Sequence, residues 1–259
     1  MGPASVLASN GARYYVSFVD AYSKFTWIYL IHHKSRVKTV FKFFKKLVEN
    51  QTGYKIHALQ SDNAKEYLSL TSYLQECGIT DRLSCPYTHE QNGSVERKHR
   101  HIVDIGLTLL NTISLPLKFW AEAFVAAVHT INVLPTDVLK GDNPYNMLFK
   151  RQPNYKKFKV FGCACYPNLR PYKQCKFAFR STGCLFLGYS ILHAGYIGLT
   201  QDGNTIVSRH VVFNEKYFPY KDHAGKFVVS SGNAQVHTNI APTLTAIHSP
   251  HTDNILSDN

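Results

Sequence analysis

At 259 residues the chain has the length of one large domain or two modest ones. Hydrophobic residues are 44% and aromatics 13%, which excludes a disordered or fibrous class for most of the length. Against 17 Asp and Glu stand 29 Lys and Arg, a formal charge of +12 that draws polyanions, nucleic acid first among them. Six scattered cysteines read as reduced intracellular thiols rather than a disulfide scaffold. No apolar run approaches the roughly 18 residues of a membrane span, so no membrane partner is expected, and MGPASVLASNG is no signal peptide.

In chain order, RYYVSFVD (13–20) and FTWIYLIH (25–32) are rich in aromatic and β-branched residues and predict a hairpin. RVKTVFKFFKKLVE (36–49) places Val37, Val40, Phe41, Phe44, Leu47 and Val48 at helical spacing, an amphipathic helix. KIHALQ (55–60) is a short strand ending in the polar run Ser61-Asp62-Asn63. A helix over 66–77 stops at Gly78, a strand follows over 79–84, and the polar loop CPYTHEQNGS leads into the helical VERKHRHIVDIGLTLLNTI. Pro116 suits a helix start, and KFWAEAFVAAVHTINVL runs as an apolar helix to Pro135, with Trp27 and Trp120 expected in the core. The order of elements predicts an α/β sandwich around a mixed sheet.

From about Phe158 the texture changes to short β-type runs cut by glycines, the pattern of a small barrel. Residues 140–180 hold ten Lys/Arg and one acid, Asp142, an excess of nine positive charges. Within it, KRQPNYKKFK (150–159) reads equally as a nuclear-import or DNA-backbone patch and as a solvated linker. After Tyr220 only one aromatic, Phe227, remains among Ser, Thr, Asn and His, and a flexible tail is expected. Cys163-x-Cys165 lacks a second pair at zinc-ligand spacing and reads as core thiols, and His32-His33 should point one ring in and one out.

Two acids stand out. Asp62 follows a strand, at the edge where α/β sheets present their chemistry, and Glu96 opens a helix after a Gly-containing loop, 33 residues (63–95) intervening. Converging carboxylates in a basic protein could hold Mg²⁺ or Mn²⁺. An Asp after a strand is also a turn former, and a Glu near a helix start is favoured by the dipole.

The words around these acids carry more. SDNAKEY (61–67) and YTHEQNGSVERKHR (87–100) resemble the second and third acidic motifs of retroviral and retrotransposon integrases. RYYVSFVDAYSKFTWIYLI, FWAEAFVAAVHTINVLP, FGCACY, FLGYS and SRHVVFNE resemble the copia-type retrotransposon Pol polyproteins of plants, so that nearly the whole chain is covered. The resemblance implies an RNase H-like integrase core over 1–151, a retroviral polymerase SH3-like segment over 152–220 and a tail over 221–259. It implies metal-dependent polynucleotidyl transfer in DNA integration, with Asp62 and Glu96 as two of three catalytic ligands for Mg²⁺ or Mn²⁺. Asn63, Gln91, Asn92, Gly93, Arg97, Lys98 and Arg100 match motif positions expected at DNA, Gly93 by letting the loop turn tightly or approach DNA closely, and Lys156, Lys157 and Lys159 extend that basic surface. Retrotransposon ends and target DNA, a homo-oligomer and a nuclear location are implied as well.

The pattern breaks at the start. In the family the first triad Asp stands on a strand just before a Gly-Pro pair, whereas here Gly2-Pro3 follow Met1 directly. The expectation is a truncated core without its first, central strand, with edges left unpaired and the transfer chemistry lost. The alternatives are a non-catalytic DNA-binding remnant and an unfolded product. Asp20, in FVDAYS, matches a non-catalytic position of the next strand.

Overall fold

Aromatic and β-branched residues form the antiparallel pair β1 (Tyr14–Val19) and β2 (Thr26–Ile31), in register from Tyr14↔Ile31 to Val19↔Thr26. Asp20 closes the turn, its Oδ2 accepting from the backbone N–H (2.7 Å) and hydroxyl (2.6 Å) of Ser23. The computed structural model describes residues 4–61, 65–83, 93–169, 179–190 and 195–222. The expected tail, Asp62, Asn63, Gln91, Asn92 and most of the loop before the second acid lie outside the described residues.

Because successive strand residues face opposite ways, the hairpin divides the molecule into two cores. Trp27, Tyr29, Ile31, Val16 and Phe18 face α1 (Val37–Thr52), where they meet Val37, Val40, Phe41, Phe44 and Val48. Phe18 stacks on Phe44 with ring centroids 4.2 Å apart. Ile28 and Leu30 face the other way, into a core built on α4 (Gly93–Thr112) and α5 (Trp120–Val133). Helix α1 ends as expected of a helix followed by glycine: Gly53 is left-handed (φ 73°) and its N–H donates to Glu49 O.

The expected strand after α1 forms later and shorter, as β3 (Ala58–Ser61), paired in parallel with β4 (Thr80–Leu83). The single helix expected over 66–77 is two short ones, α2 (Lys65–Leu68) and α3 (Thr71–Glu76). Leu70 sits fully buried at the break, and the Thr71 hydroxyl donates to Asp81 Oδ2 on β4. Among the described residues β1–β2 and β3–β4 are two separate two-stranded sheets, not one continuous mixed sheet. No strand among the described residues bridges them. His32 and His33 are both exposed, contrary to expectation, because the strand has already ended at Ile31.

Pro116 precedes a 3₁₀ turn, Leu117–Phe119, that feeds α5. The stretch Leu117–Leu139 is long and apolar enough to cross a membrane by length and composition alone, which the chain reading overlooked. More than half of it is buried inside the protein, against α4, β2 and the barrel, as in a core helix. An additional helix, α6 (Pro144–Phe149), was legible in Asn143-Pro144: the Asn143 side chain accepts from Asn146 N–H, and proline occupies the first turn.

The barrel segment comprises β5 (Ala164–Pro167), β6 (Cys184–Tyr189), β7 (Tyr196–Thr200), β8 (Thr205–Ser208) and β9 (Val211–Asn214). They form one antiparallel sheet in the order β8-β7-β6-β5-β9. Cys163, Cys165 and Cys184 fill its interior around Phe186 as free, buried thiols, and burial pushes Cys163 and Cys184 up to about 12. They are the core thiols expected, not ligands.

The barrel does not hang on a loose linker. Phe161, Leu185, Leu187, Leu199 and, from α7 (Pro219–Asp222), Tyr220 join the same apolar cluster as Ile102, Ile113, Trp120 and Val128. Gly162 (φ 79°) lies so close to Ile113 that a Cβ there would sit 2.2 Å from its Cδ1. On α5, His129 packs between Phe158 (centroids 4.7 Å) and Tyr189 (4.6 Å).

Two expected outcomes follow from α5. Its buried Asn132 accepts from Thr26 N–H and donates to Thr26 O, both at 2.8 Å, tying helix to strand. Asn132→Ala strands two buried backbone groups and is expected to cost about 2–4 kcal/mol, read from urea unfolding. Burial holds His129 down to about 4, below its ordinary value, so folding favours the neutral ring. Its contribution is complete above about pH 6.5 and is lost as pH falls toward 4, at about 1.4 kcal/mol per unit. His129→Phe, which retains a ring in the stack, should remove that increment from a plot of Tm against pH.

Candidate active site

Helix α4 carries the one sequence-predicted carboxylate that the structure describes. Glu96 lies in its first turn and is exposed, where the dipole of a 20-residue helix favours negative charge. Arg97 and Arg100 are exposed beside it, Arg100 one turn on and on Glu96's face. Gly93 is already helical and lacks a left-handed φ, so its expected part in a tight turn is not what its backbone does. A Cβ there would meet the Arg97 Nη1 at 3.3 Å, so the guanidinium lies back over the helix start.

Lys98 differs from the other basic residues. It is half-buried, and burial first and the Lys24 ammonium second hold it below the usual lysine range. His99, unnoticed in the sequence, points to the opposite element: its Nδ1 is in hydrogen-bond contact with the Tyr15 hydroxyl on β1. Tyr15 in turn packs edge-on against Phe124 (5.6 Å) and tilted against Trp120 (6.5 Å). This contact fixes the turn of α4 that bears Glu96 against the hairpin. No periodicity could reveal it, because the partners lie 84 residues apart.

Among the described residues no group of three His, Cys, Asp or Glu side chains could hold a metal ion. Glu96 is the described share of the site; its expected partner, Asp62, and the flanking Asn63, Gln91 and Asn92 lie outside the described residues. Asp20 is committed to its own turn through Ser23, which accounts for it structurally.

The three lysines grouped together in the sequence separate in the structure. Lys156 and Lys157 are exposed in a 3₁₀ turn, Tyr155–Lys157. Lys159 is ion-paired, its Nζ 3.1 Å from Glu215 Oε1, and lies over the Phe213 ring at 5.5 Å. Its backbone N–H donates to Tyr189 Oη, so it braces the barrel rather than facing outward alone. Arg151 likewise spreads over the rings of Tyr145 and Phe149. Lys156→Ala with Lys157→Ala should therefore flatten the dependence of log Kd for duplex DNA on log salt by about one to two phosphate contacts. Lys159→Ala should leave that slope nearly unchanged while lowering Tm.

Residues 4–89 match the family model for the integrase core domain, and residues 163–226 match that for the retroviral polymerase SH3-like domain. The chain is 46% identical over 231 residues to the retrovirus-related Pol polyprotein from transposon RE2 of Arabidopsis thaliana, covering 89% of this chain and 16% of that protein. It is 46% identical over 219 residues to the RE1 polyprotein of the same plant (84% and 15%) and 34% identical over 217 residues to that of transposon TNT 1-94 of Nicotiana tabacum (83% and 16%). The chain thus spans about a sixth of the length of these relatives. Among solved structures, the HTLV-2 integrase catalytic core domain in complex with magnesium matches at 18% identity and a TM-score of 0.39, over 51% of this chain and 82% of that one. The two family models fall on different parts of the fold, the first on the hairpin and the elements through β4, the second on the five-stranded sheet. With plant relatives that run through both, the chain is the integrase region of a copia-type retrotransposon Pol polyprotein.

Proposed function

We propose that this region binds DNA and serves metal-dependent joining of retrotransposon ends to target DNA, in the nucleus and as part of a homo-oligomer. The observation that supports this most is the first turn of α4: an exposed carboxylate, Glu96, with Arg97 and Arg100 exposed beside it, in a chain of the integrase family. Glu96 and Asp62 would hold Mg²⁺ or Mn²⁺, hard ions suited to carboxylate oxygen. A bound ion of this kind activates the attacking oxygen and offsets charge on phosphorus. The protein's own part is to hold the DNA backbone. Arg97 and Arg100 are placed to meet phosphates near Glu96, and Lys156 and Lys157 extend the positive surface along the chain. His99 and Tyr15 keep the helix turn in register with the hairpin.

The described residues supply one carboxylate of the set, and the resemblance implies three. Joining is therefore expected to need polypeptide carrying the third acid. The experiment is end joining of a labelled DNA duplex with Mn²⁺, by the 259 residues alone and by a version extended upstream with the family's first strand. The extended chain should join, and Asp62→Asn or Glu96→Gln should each lower its rate about a thousandfold or more without weakening DNA binding. DNA binding by both chains with joining by neither would favour the non-catalytic reading. Joining by the short chain that survives Asp62→Asn and Glu96→Gln would overturn the assignment of these acids.

A further inference from the structure

Ahead of the hairpin, residues 4–12 run without regular structure along the N-terminal end of α5, where they are held at several points. Ser9 N–H donates to Lys118 O (2.8 Å), and the Trp120 indole N–H donates to Val6 O (3.0 Å). Ala8 and Ala12 are buried in the core shared by α4, α5 and the barrel. Further ties are the Ser9 hydroxyl, which donates to Oε1 of Glu122 in the first turn of α5, the Ala4 N–H, which donates to Arg13 O (2.9 Å), and the His32 ring Nδ1, in hydrogen-bond contact with Gly11 O (2.9 Å). Beside these ties lies a cleft of about 320 Å³, walled by Tyr14, Tyr15, Leu107, Leu117, Trp120 and Phe124 and bordered by the segment's own Ala4, Ser5 and Val6.

Glu122 is unusual in this setting. Its second oxygen, Oε2, is buried without a hydrogen-bond partner in the structure. A buried oxygen without a partner costs far more as part of a carboxylate than as part of a neutral carboxyl. Burial is the largest influence and raises the group above the ordinary range; the Ser9 hydroxyl, the backbone and Lys118 pull the other way without reversing it. The other charged or titratable groups bordering this end of the helix are Arg13 and Tyr15 from the hairpin and His99 from α4, all on the cleft. None of them forms an ion pair with Glu122 among the described residues. The helix dipole favours ionisation but acts within a turn and is opposed here by enclosure.

We propose that Glu122 is a proton-operated clasp: its neutral carboxyl seats residues 4–12 against the end of α5, and loss of the proton to solvent releases that segment and uncovers the aromatic cleft. The sign is that of a carboxyl whose folded value is raised. The clasp is complete below the ordinary carboxylate range and is lost as pH rises through the folded value. Glu122 is none of the residues placed at the DNA site, and the cleft that the clasp covers reaches Tyr15 and His99, the pair that positions the Glu96 turn.

Hydrogen–deuterium exchange of residues 4–12 across pH 4 to 9.5, corrected for intrinsic exchange, tests this on the full chain. Protection of the segment should fall at least tenfold as pH rises, while α5 itself stays protected. Glu122→Gln, a neutral isostere, should hold the segment protected over the whole range. Equal pH dependence in Glu122→Gln, or none in the unaltered chain, would overturn the clasp, as would a Glu122→Gln segment already unprotected at pH 6. Should that variant fail to fold, the ¹³C shift of the Glu122 carboxyl in the unaltered chain decides. Titration above the ordinary carboxylate range supports the clasp, and titration within it refutes the idea.

Discussion

Helix α5 is the member on which everything else rests, because it is apolar on nearly every side and must be covered from nearly every side. Trp120, Ala121, Ala123, Phe124, Ala127, Val128, Ile131 and Val133 are all buried. Alanines let neighbouring backbones approach, and the large residues fill what remains. Helix α4 packs along one flank, β2 along another, α6 near its end, and β6 of the barrel along a third. The integrase core segment and the SH3-like segment consequently share one apolar cluster, beside the one that each keeps to itself. Two domains by family description are joined by this packing, and a lesion in the seam at Gly162 or Ile113 should be felt in both.

The same helix sets the polar fixtures. Asn132 spends its whole amide on the backbone of Thr26, so α5 cannot slide along β2 without breaking two buried hydrogen bonds. A few such bonds specify register where apolar packing alone would tolerate a shift. At the other end Glu122 and Trp120 hold the leading segment, and at the centre His129 stacks against the barrel. Glu122, His129 and Asn132 thus each mark a joint with a different neighbour, while the Thr130 hydroxyl bonds back to Ala126 O within the helix.

The site inherits its placement from these joints. Glu96 is exposed because the first turn of α4 projects beyond the packed stretch that begins at Ile102. Below it, His99 on Tyr15 pins the helix to the hairpin. Cations near the helix start divide by environment: Arg97 and Arg100 stay solvated and able to meet phosphate, while Lys98 is partly enclosed near Lys24. Among the described residues the strands of the first segment form two separate pairs, β1 with β2 and β3 with β4.

Periodicity made the hairpin, α1, α4, α5 and the barrel strands legible, because each of these elements buries one face or both and writes that burial into its residue order. Local chemistry could likewise announce Gly53 as a helix stop and Asn143-Pro144 as a helix start. The motifs around Asp62 and Glu96 named the family from short words alone, since a catalytic helix and its loop keep their chemistry in consecutive residues. What the chain could not show was anything set by distant partners. Lys159 looked like one of three equivalent lysines until Glu215, 56 residues away, claimed it. His99 and Asn132 looked like ordinary helix residues until Tyr15 and Thr26 were brought against them. The break at Leu70 and the splitting of the sheet likewise arose from packing, not propensity. Side-chain identity and spacing determine what each segment can become; which charge is spent on structure and which is left for a ligand is decided only when the segments meet.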